Sequence, residues 1–202
     1  MPSQTNERAL EAAIEKALTG TNLEEIKASG GNQQEPVVSY GTHQGYHIGW
    51  ANNYNAKYAL DETRFWHFLE STQAEELAKL QRSADWKLRI LERYDRMVRK
   101  YGLLRILRKG LAVEDAHFTL FYQLPLASSS QQSKDNFAAN IFSVTRQVRY
   151  NLDNPRQEID MVVFINGMAI ATLELKNQWT GQNAKVHGIN QYKYKRDSNQ
   201  PL

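Results

Sequence analysis

The chain has 202 residues, a formal net charge of +3, and hydrophobic and charged fractions of 41% and 23%. These values are typical of soluble globular proteins with one sizeable core. Cysteine is absent, which excludes disulfides and thiolate zinc sites and favours a reducing compartment. No apolar run approaches the roughly 18 residues of a membrane helix, and the polar N-terminus does not resemble a signal peptide. We therefore expect a cytoplasmic protein with no membrane partner.

The first half of the chain is predicted to be mainly helical, because its apolar residues recur at helical spacing. The predicted helices cover residues 6–18, 60–80 and 82–108, with breaks at Gly102 and Gly110. The composition of residues 29–36 indicates a loop. Residues 40–58 are rich in aromatic and small polar side chains and favour no particular element.

The third predicted helix carries a concentration of positive charge. Ten basic and three acidic residues lie between Arg82 and Lys109, a net charge of +7 over 28 residues. Four of the basic residues form a stripe beside the apolar positions: Arg89, Arg93, Arg96 and Lys100. A basic helix face suits a polyanion such as DNA. The alternative is an ordinary solvated helix face.

The second half changes to a pattern that is typical of strands. The predicted strands cover residues 117–124, residues 140–150 and the two arms of a hairpin within residues 158–176. The hairpin turns at Asn166-Gly167, and residues 184–195 are predicted to form a helix. The chain ends at Leu202 without a terminal signal, so we expect it to be part of a larger protein.

Three ionisable residues lie at the ends of the hairpin strands: Asp160, Glu174 and Lys176. Such groups are costly to bury unless they are paired or bind a metal. Side chains alternate between the faces of a strand, so the register decides whether the three meet. A two-residue turn that pairs Ile165 with Met168 would separate the two carboxylates.

We predict instead a three-residue loop, Ile165-Asn166-Gly167, with a bulge at Gly167. This register segregates the hairpin by polarity. One face would carry Asp160, Val162, Phe164, Ile170, Thr172, Glu174 and Lys176. The other face would be wholly apolar and ready for a covering helix, with Met161, Val163, Ile165, Ala169, Ala171, Leu173 and Leu175.

Two carboxylates and an ammonium group at one strand end fit the hydrolysis of phosphodiesters. Asp160 and Glu174 would bind Mg²⁺, which prefers oxygen ligands, and the metal would activate water and stabilise phosphate charge. Lys176 would orient the water or neutralise the developing charge. The alternative is an ion triad at a sheet edge without catalysis.

At these residues the sequence resembles the PD-(D/E)XK nucleases. More narrowly, it resembles the N-terminal region of the restriction (R) subunit of type I restriction-modification enzymes. The most specific strings are IDMVVFINGM at residues 159–168 and LELKN at residues 173–177. Supporting strings are GLLRILRKG at 102–110, NIFSVTRQ at 140–147 and QYKY at 191–194.

The resemblance implies that Asp160 and Glu174 are the metal-binding acids and that Lys176 is the catalytic lysine. Such nucleases often add a glutamate on an N-terminal helix. Glu7 and Glu11 are candidates, Glu11 being the better placed before the apolar stripe, and the alternative is that both are solvated.

The family also has a Gln-x-x-x-Tyr element after the lysine. Its nearest form here, Gln191-x-x-Tyr194, is one residue short, so either Tyr192 or Tyr194 would act with Gln191 in contacting DNA or positioning the site. Ile159 replaces the proline of the first motif, which leaves the acid itself unchanged.

The resemblance implies an α+β fold, with a mixed sheet flanked by helices and a helical N-terminal part. We predict one nuclease domain over residues 1–202, helical to about residue 112, with the sheet and catalytic core over about 113–202. Its function would be Mg²⁺-dependent cleavage of double-stranded DNA.

The complete protein would continue into an ATP-driven translocase and assemble with modification and specificity subunits. ATP would bind only in the translocase, since this chain has no phosphate-binding loop motif. The alternative function is a non-catalytic module for DNA binding or subunit assembly that retains the nuclease fold.

Overall fold

The computed structural model describes residues 3–30, 45–154, 156–175, 186, 189–195 and 200–202. Its helices are α1 (Ser3–Thr19), α2 (Leu23–Ala28), α3 (Glu62–Thr72), α4 (Ala74–Leu80), α5 (Trp86–Tyr101), α6 (Leu103–Lys109) and α7 (Gln131–Ala138). Its strands are β1 (His47–Ile48), β2 (Tyr54–Asn55), β3 (Leu60–Asp61), β4 (Leu111–Val113), β5 (Ala116–Phe118), β6 (Phe142–Arg149), β7 (Glu158–Ile165) and β8 (Met168–Leu173). Among the described helices, none is both long and apolar enough to cross a membrane.

Six of these strands form one mixed sheet in the order β1-β6-β7-β8-β3-β2. β1 runs parallel to β6, and the other neighbours are antiparallel. The long strands β6 and β7 are rich in valine, isoleucine, phenylalanine and threonine, which favour a pleated, buried surface. β4 and β5 pair separately. The α+β prediction is therefore confirmed, and the mainly helical first half also contributes β1, β2 and β3 to the sheet.

The strand predicted over residues 117–124 is shorter than expected and ends at Phe118. Side-chain amides replace a strand partner beyond that point. Gln73 Oε1 accepts a hydrogen bond from the Thr119 N–H at 2.6 Å, and Asn140 Oδ1 accepts one from the Tyr122 N–H at 3.1 Å. The backbone is satisfied without a ladder, so it has no need to continue as a strand.

The helix predicted over residues 60–80 is divided in two at Gln73, between α3 and α4. The Gln73 backbone leaves the helical region, with φ −144° and ψ 40°, and its side chain bonds both polar groups of the Thr119 backbone. The helix predicted over residues 82–108 breaks at Gly102 as expected, because the glycine takes a φ of +80° that other residues disfavour. It ends before Gly110 in the same way.

The helical lobe, which we define as α3–α6 with β4 and β5, encloses the main hydrophobic core. Its fully buried members include Phe65, Phe68, Leu69, Ile90, Ile106, Leu111 and Phe118. The lobe rests on the turn between β7 and β8. A Cβ at Gly167 would lie 2.4 Å from the Asp61 carbonyl oxygen and 2.6 Å from the Phe65 nitrogen, so only glycine permits this approach.

The predicted turn of the β7–β8 hairpin is wrong. Ile165 pairs with Met168, so the turn has two residues, Asn166 and Gly167, with φ values of +51° and +80°. Two positive φ values are those of a type I′ turn, which matches the twist of the strands. The buried Asn166 side chain also fixes the turn, since its Oδ1 accepts a hydrogen bond from the Ile141 N–H at 2.7 Å.

A β-bulge in β8 then restores the shared face that the predicted loop was meant to produce, although the paired residues differ by two positions from those that the loop implied. Phe164 pairs with Ala169, but Val163 pairs with Ala171, so Ile170 is an extra residue in β8. Beyond the bulge, Val162 faces Thr172 and Met161 faces Leu173. Continuing this register by one residue places Asp160 opposite Glu174.

Because of the bulge, the predicted apolar face of the hairpin is partly wrong. Ala169, which was assigned to that face, pairs with Phe164 and therefore lies on the face of Asp160. Ala171 is exposed, and Leu173 and Leu175 are half-buried. Within the predicted helix over residues 184–195, the described residues 186 and 189–195 are helical, and residues 184, 185, 187 and 188 lie outside the described residues.

Candidate active site

Asp160 and Glu174 lie close together at the end of the hairpin opposite its turn. Asp160 is the third residue of β7, and Glu174 directly follows β8. Asp160 Oδ2 accepts a hydrogen bond from the Leu175 N–H at 2.6 Å, which ties the first acid to the backbone beside the second. Both carboxylates are half-buried, and Glu174 Oε1 is shielded from solvent. Lys176 lies outside the described residues.

Glu11 lies on helix α1, which packs against β6. Its side chain is buried and accepts hydrogen bonds at Oε2 from Arg146 Nε at 3.1 Å and Gln147 Nε2 at 3.3 Å. Burial raises the pKa of Glu11, Arg146 opposes that change, and the negative charge of Asp160 adds to it. The alternative that Glu11 is a solvated helix residue is therefore wrong, whereas Glu7 is half-exposed.

Arg146 is the centre of a carboxylate cluster that the sequence did not predict. Its side chain is 5% exposed, and Nη1 contacts Glu15 Oε2 at 3.1 Å and Glu24 Oε2 at 2.8 Å. With Glu11, three carboxylates surround one guanidinium.

The pKa values of this cluster reflect both burial and pairing. Burial raises the pKa of Glu15, although the Leu23 N–H and Arg146 donate hydrogen bonds that oppose it. Burial also acts to raise the pKa of Glu24, but the hydrogen bonds from Arg146 and from the Glu24 N–H, together with the charges of Arg146 and Lys27, lower it overall. An arginine within the apolar β6 pattern was the only sequence signal for this cluster. Its partners come from distant helices that no local pattern identifies.

Gln147 lies on β6, opposite Asp160 on the neighbouring strand β7. Its neighbours Arg146 and Val148 pair with Met161 and Ile159 of β7, so Gln147 is opposite Asp160 in that register. The backbone of Gln147 has a φ of +53°, which is unusual for a non-glycine residue within a strand.

A cleft of about 460 Å³ opens beside these residues. Arg146 and Gln147 line it together with basic and aromatic side chains, namely Arg8, Lys27, Arg149 and Trp50. Trp50 is 40% exposed, and Arg149 pairs with Glu158 at 2.9 Å. The cleft thus presents cations and one aromatic ring together with the acids Glu24 and Glu158, whereas Glu11, Asp160 and Glu174 are not among its lining residues.

The adjacent acids Asp160 and Glu174 offer only carboxylate oxygens, which are the ligands that Mg²⁺ prefers. Within the described ranges, no group of three or more acidic or histidine side chains is arranged to hold a metal ion. Mg²⁺ usually keeps several waters and takes few protein ligands. The residues present therefore fit Mg²⁺ better than a fully protein-coordinated ion.

The predicted basic stripe lies on α5, far from these carboxylates. Arg89 pairs with Asp85 at 3.0 Å and Glu114 at 2.8 Å, and Arg93 Nε donates to the Ala112 carbonyl at 3.1 Å. Half of the stripe is therefore engaged within the lobe.

The other two members of the stripe, Arg96 and Lys100, line a shallow surface groove. The lobe meets the hairpin at Gly167, and five residues of β7 separate that end from Asp160. This separation corresponds to about 17 Å along the strand.

The predicted Gln-x-x-Tyr element is part of the helical turn Gln191–Lys195. The Tyr192 hydroxyl is 2.8 Å from Thr172 Oγ1, and Thr172 shares the face of Asp160. Tyr194 is 78% exposed. Of the two tyrosines, the structure therefore brings Tyr192, not Tyr194, to the hairpin.

No curated protein and no solved structure matches the chain significantly. The model of one protein family, the type I restriction enzyme R protein N terminus, matches residues 4–202. This match covers the hairpin, the helix that carries Glu11 and the helical lobe, and it confirms the resemblance found in the sequence. The chain therefore belongs to the family of type I restriction enzyme R protein N-terminal regions.

Proposed function

We propose that this chain is the DNA-cleaving module of a type I restriction enzyme, and that it hydrolyses phosphodiester bonds of double-stranded DNA with Mg²⁺. The observation that carries the proposal is the bulged register of the hairpin. It gives Asp160 and Glu174 a common face, and the hydrogen bond from the Leu175 N–H holds Asp160 beside Glu174.

In this proposal Asp160 and Glu174 hold the metal. The predicted role of Glu11 as a further ligand is not retained, because its partner Arg146 pairs with Met161 and so lies on the opposite face of the sheet. A bound Mg²⁺ would supply charge stabilisation at the scissile phosphate and would help to ionise the attacking water. Lys176 orients that water or neutralises the developing negative charge.

The DNA strand would follow the cleft next to these carboxylates. Arg8, Lys27 and Arg149 are suited to contact phosphates, which fixes the position of DNA without reading its sequence. Trp50 offers a ring on which a base or sugar can pack. The α5 residues Arg96 and Lys100 would contact DNA farther along or bind a partner subunit.

We further propose that the complete protein couples this cleavage to ATP-driven translocation in the cytoplasm, together with modification and specificity subunits. ATP would bind outside this chain. In that arrangement the partner subunits choose the DNA sequence, and this module supplies only the cut. The proposal predicts that cleavage and ATP hydrolysis are separable by mutation.

The test is Asp160→Ala and, separately, Lys176→Ala in the complete restriction complex, with DNA cleavage and ATP hydrolysis measured in parallel. We expect cleavage to be lost and ATP hydrolysis to be retained. Asp115→Ala is the matched control, because Asp115 is an exposed acid in the turn between β4 and β5. Unchanged cleavage in Asp160→Ala would reject the nuclease role and favour a non-catalytic DNA-binding or assembly module.

A further inference from the structure

Trp50 is an exposed aromatic residue in a cleft whose charged lining is mostly basic. The cleft has a volume of about 460 Å³ and is lined by four cations and two acids. Both acids already have cationic partners, since Glu24 contacts Arg146 at 2.8 Å and Glu158 contacts Arg149 at 2.9 Å. The other two cations, on α1 and α2, are exposed and give the cleft its positive charge: Arg8 and Lys27.

The backbone around Trp50 is anchored to the sheet. The Gly49 N–H donates a hydrogen bond to the Val144 carbonyl at 2.7 Å, and the Trp50 carbonyl accepts one from the Asn53 N–H at 2.9 Å. A Cβ at Gly49 would lie 1.9 Å from Thr145 Oγ1, so only glycine lets this segment run so close to β6. The backbone of Trp50 is therefore fixed before a ligand arrives, which lowers the ordering cost of binding.

The size of the cleft decides which form of DNA can use the ring of Trp50. Its volume is within the range of small-ligand pockets, about 300–1,000 Å³. A cube of 460 Å³ has an edge of about 8 Å, whereas the major groove of a duplex alone is about 12 Å wide. A duplex can therefore only pass over the opening, and its bases cover one another's faces by stacking. Only an unpaired base can offer its face to Trp50.

The cleft also lies next to the proposed metal-binding acids. Its lining residue Glu158 precedes Asp160 by two positions on β7, which corresponds to about 7 Å along the strand. Gln147, another lining residue, is opposite Asp160 in the β6–β7 register. The separation equals about two phosphate spacings of one DNA strand, at about 3.4 Å each. A nucleotide in the cleft would thus belong to the DNA segment beside Asp160.

We propose that the cleft binds an unpaired nucleotide of the DNA strand beside Asp160, with its base stacked on Trp50 and its phosphates near Arg8 and Lys27. The inference rests on the proposed function, because it takes this strand to be the one that is cut. A basic groove with an aromatic ring is the combination with which many proteins bind single-stranded DNA. The duplex that this module cuts would then be opened locally at the cleft.

Cross-linking of the wild-type complete R protein tests the inference without any substitution. The probe is a single-stranded oligonucleotide of thymidines with one central 5-iododeoxyuridine, a base that cross-links under long-wave ultraviolet light to an aromatic side chain stacked on it. We expect mass spectrometry of the digested product to locate the cross-link at Trp50. The same oligonucleotide in a blunt duplex is expected to give no cross-link there, because its central base is stacked and paired.

Affinity measurements on variants of the complete R protein quantify the contribution of the ring. With excess unlabelled blunt duplex present to occupy other DNA-binding surfaces, Trp50→Ala is expected to weaken binding of the single strand about five- to hundredfold, as for one lost base stack. Its affinity for a blunt duplex of equal length should change much less. Trp50→Phe keeps an aromatic face and should retain most of the affinity.

Tyr101→Ala is the matched control, because Tyr101 is also 40% exposed and lies beside two cations, Lys100 and Arg105, but belongs to α5. We expect it to leave the affinity for the single strand unchanged. If Tyr101→Ala weakened this affinity as much as Trp50→Ala does, the assignment of the unpaired base to the cleft would be overturned.

Three further outcomes would overturn the inference. No cross-link at Trp50, or an unchanged single-strand affinity in Trp50→Ala, means that no base stacks on the ring. An equal loss of single-strand and duplex affinity means that the ring packs on the sugar-phosphate backbone, which both forms share.

Asp160→Ala distinguishes this inference from the proposed function. If Asp160→Ala loses cleavage but the wild type gives no cross-link at Trp50, the proposed function stands and only the role of the cleft falls. If Asp160→Ala still cleaves DNA, the proposed function fails, and with it the claim that the strand in the cleft is the one that is cut.

Discussion

The helical lobe and the α1–β6 contact are built from opposite kinds of side chain. In the lobe, Phe65, Phe68 and Leu69 are completely buried within one hydrophobic cluster. Where α1 meets β6, the contact is instead made by buried charged side chains: Glu11, Glu15 and Arg146. The same chain therefore contains an apolar core at one end of the hairpin and a charged one at the other.

This difference indicates which region stabilises the molecule and which region would serve the proposed cleavage reaction. Burying a large apolar side chain contributes about 1.5–3 kcal/mol. A buried ion pair often contributes nothing net, because desolvation offsets the attraction. The charged cluster around Arg146 thus contributes little net stability. Its position near Asp160 and Glu174 favours a functional role for it.

The largest expected effect is that of Arg146→Met. The variant leaves Glu11 and Glu15 buried without their cation, and removing one partner of such a cluster destabilises by about 3–5 kcal/mol. The loss should shrink at pH 4, where the carboxyl groups become neutral. Urea unfolding at pH 7 and pH 4 measures it. Arg149→Met is the control, because Arg149 is exposed at the surface. An equal loss at both pH values would contradict this reading of the cluster.

Leu69→Ala is expected to lower stability by about 2–5 kcal/mol through loss of apolar contacts and the cavity that remains. In contrast to Arg146→Met, this loss should be the same at pH 4 and pH 7, and Mg²⁺ affinity should not change. Leu104→Ala, at a side chain that is 61% exposed, is the matched control with little expected effect. If a folded lobe variant bound Mg²⁺ more weakly, the conclusion that the lobe serves only stability would be contradicted.

A smaller effect is expected for the pH dependence of Glu15. Because its folded pKa is raised above the ordinary value of 4.5, its contribution to stability is present below that value and is lost as pH rises through the folded pKa. Glu24, whose pKa is lowered, acts in the opposite direction. Glu15→Gln should therefore gain stability relative to the wild type as pH rises from 4.5 to 7. Unfolding midpoints across this range give the difference, and a relative gain by the wild type would refute the assignment.

The smallest effects are expected from single basic residues in DNA binding, and they can be compared between the cleft and α5. Lys27→Ala, in the cleft, should weaken binding by the complete protein, lower the salt slope by about 1 and slow cleavage. Lys100→Ala, on α5, should alter cleavage less, because it lies at the other end of the hairpin. Filter binding at several salt concentrations and a cleavage time course separate the two. A larger effect at Lys100 would restore the α5 stripe as the main DNA contact.

Much of the local structure was predictable, because its causes are local. Helix breaks at Gly102 and Gly110 follow from glycine in a positive φ, and β6 follows from its β-branched residues. The break at Gln73 and the early end of β5 were not predictable. Both depend on one side chain, Gln73, that reaches Thr119 across the lobe.

The candidate site shows even more clearly the difference between features with local causes and features that depend on distant contacts. The strings at residues 159–168 and 173–177 were sufficient to identify the family and to nominate Asp160, Glu174 and Lys176. The loop proposed to bring them together was wrong. The Asn166-Gly167 pair forms the two-residue turn that its composition favours, and an extra residue at Ile170 corrects the register.

By itself, the sequence therefore determined the family, the α+β class and the two acids on the hairpin, since each depends on residues close together in the chain. Only the tertiary structure decided the bulge, the burial of Glu11, and the cluster around Arg146. Glu11 and Arg146 are 135 positions apart, and periodicity carries no information about contacts over that distance. The physical reason is that a buried charge is defined by its partners, and the fold alone selects them.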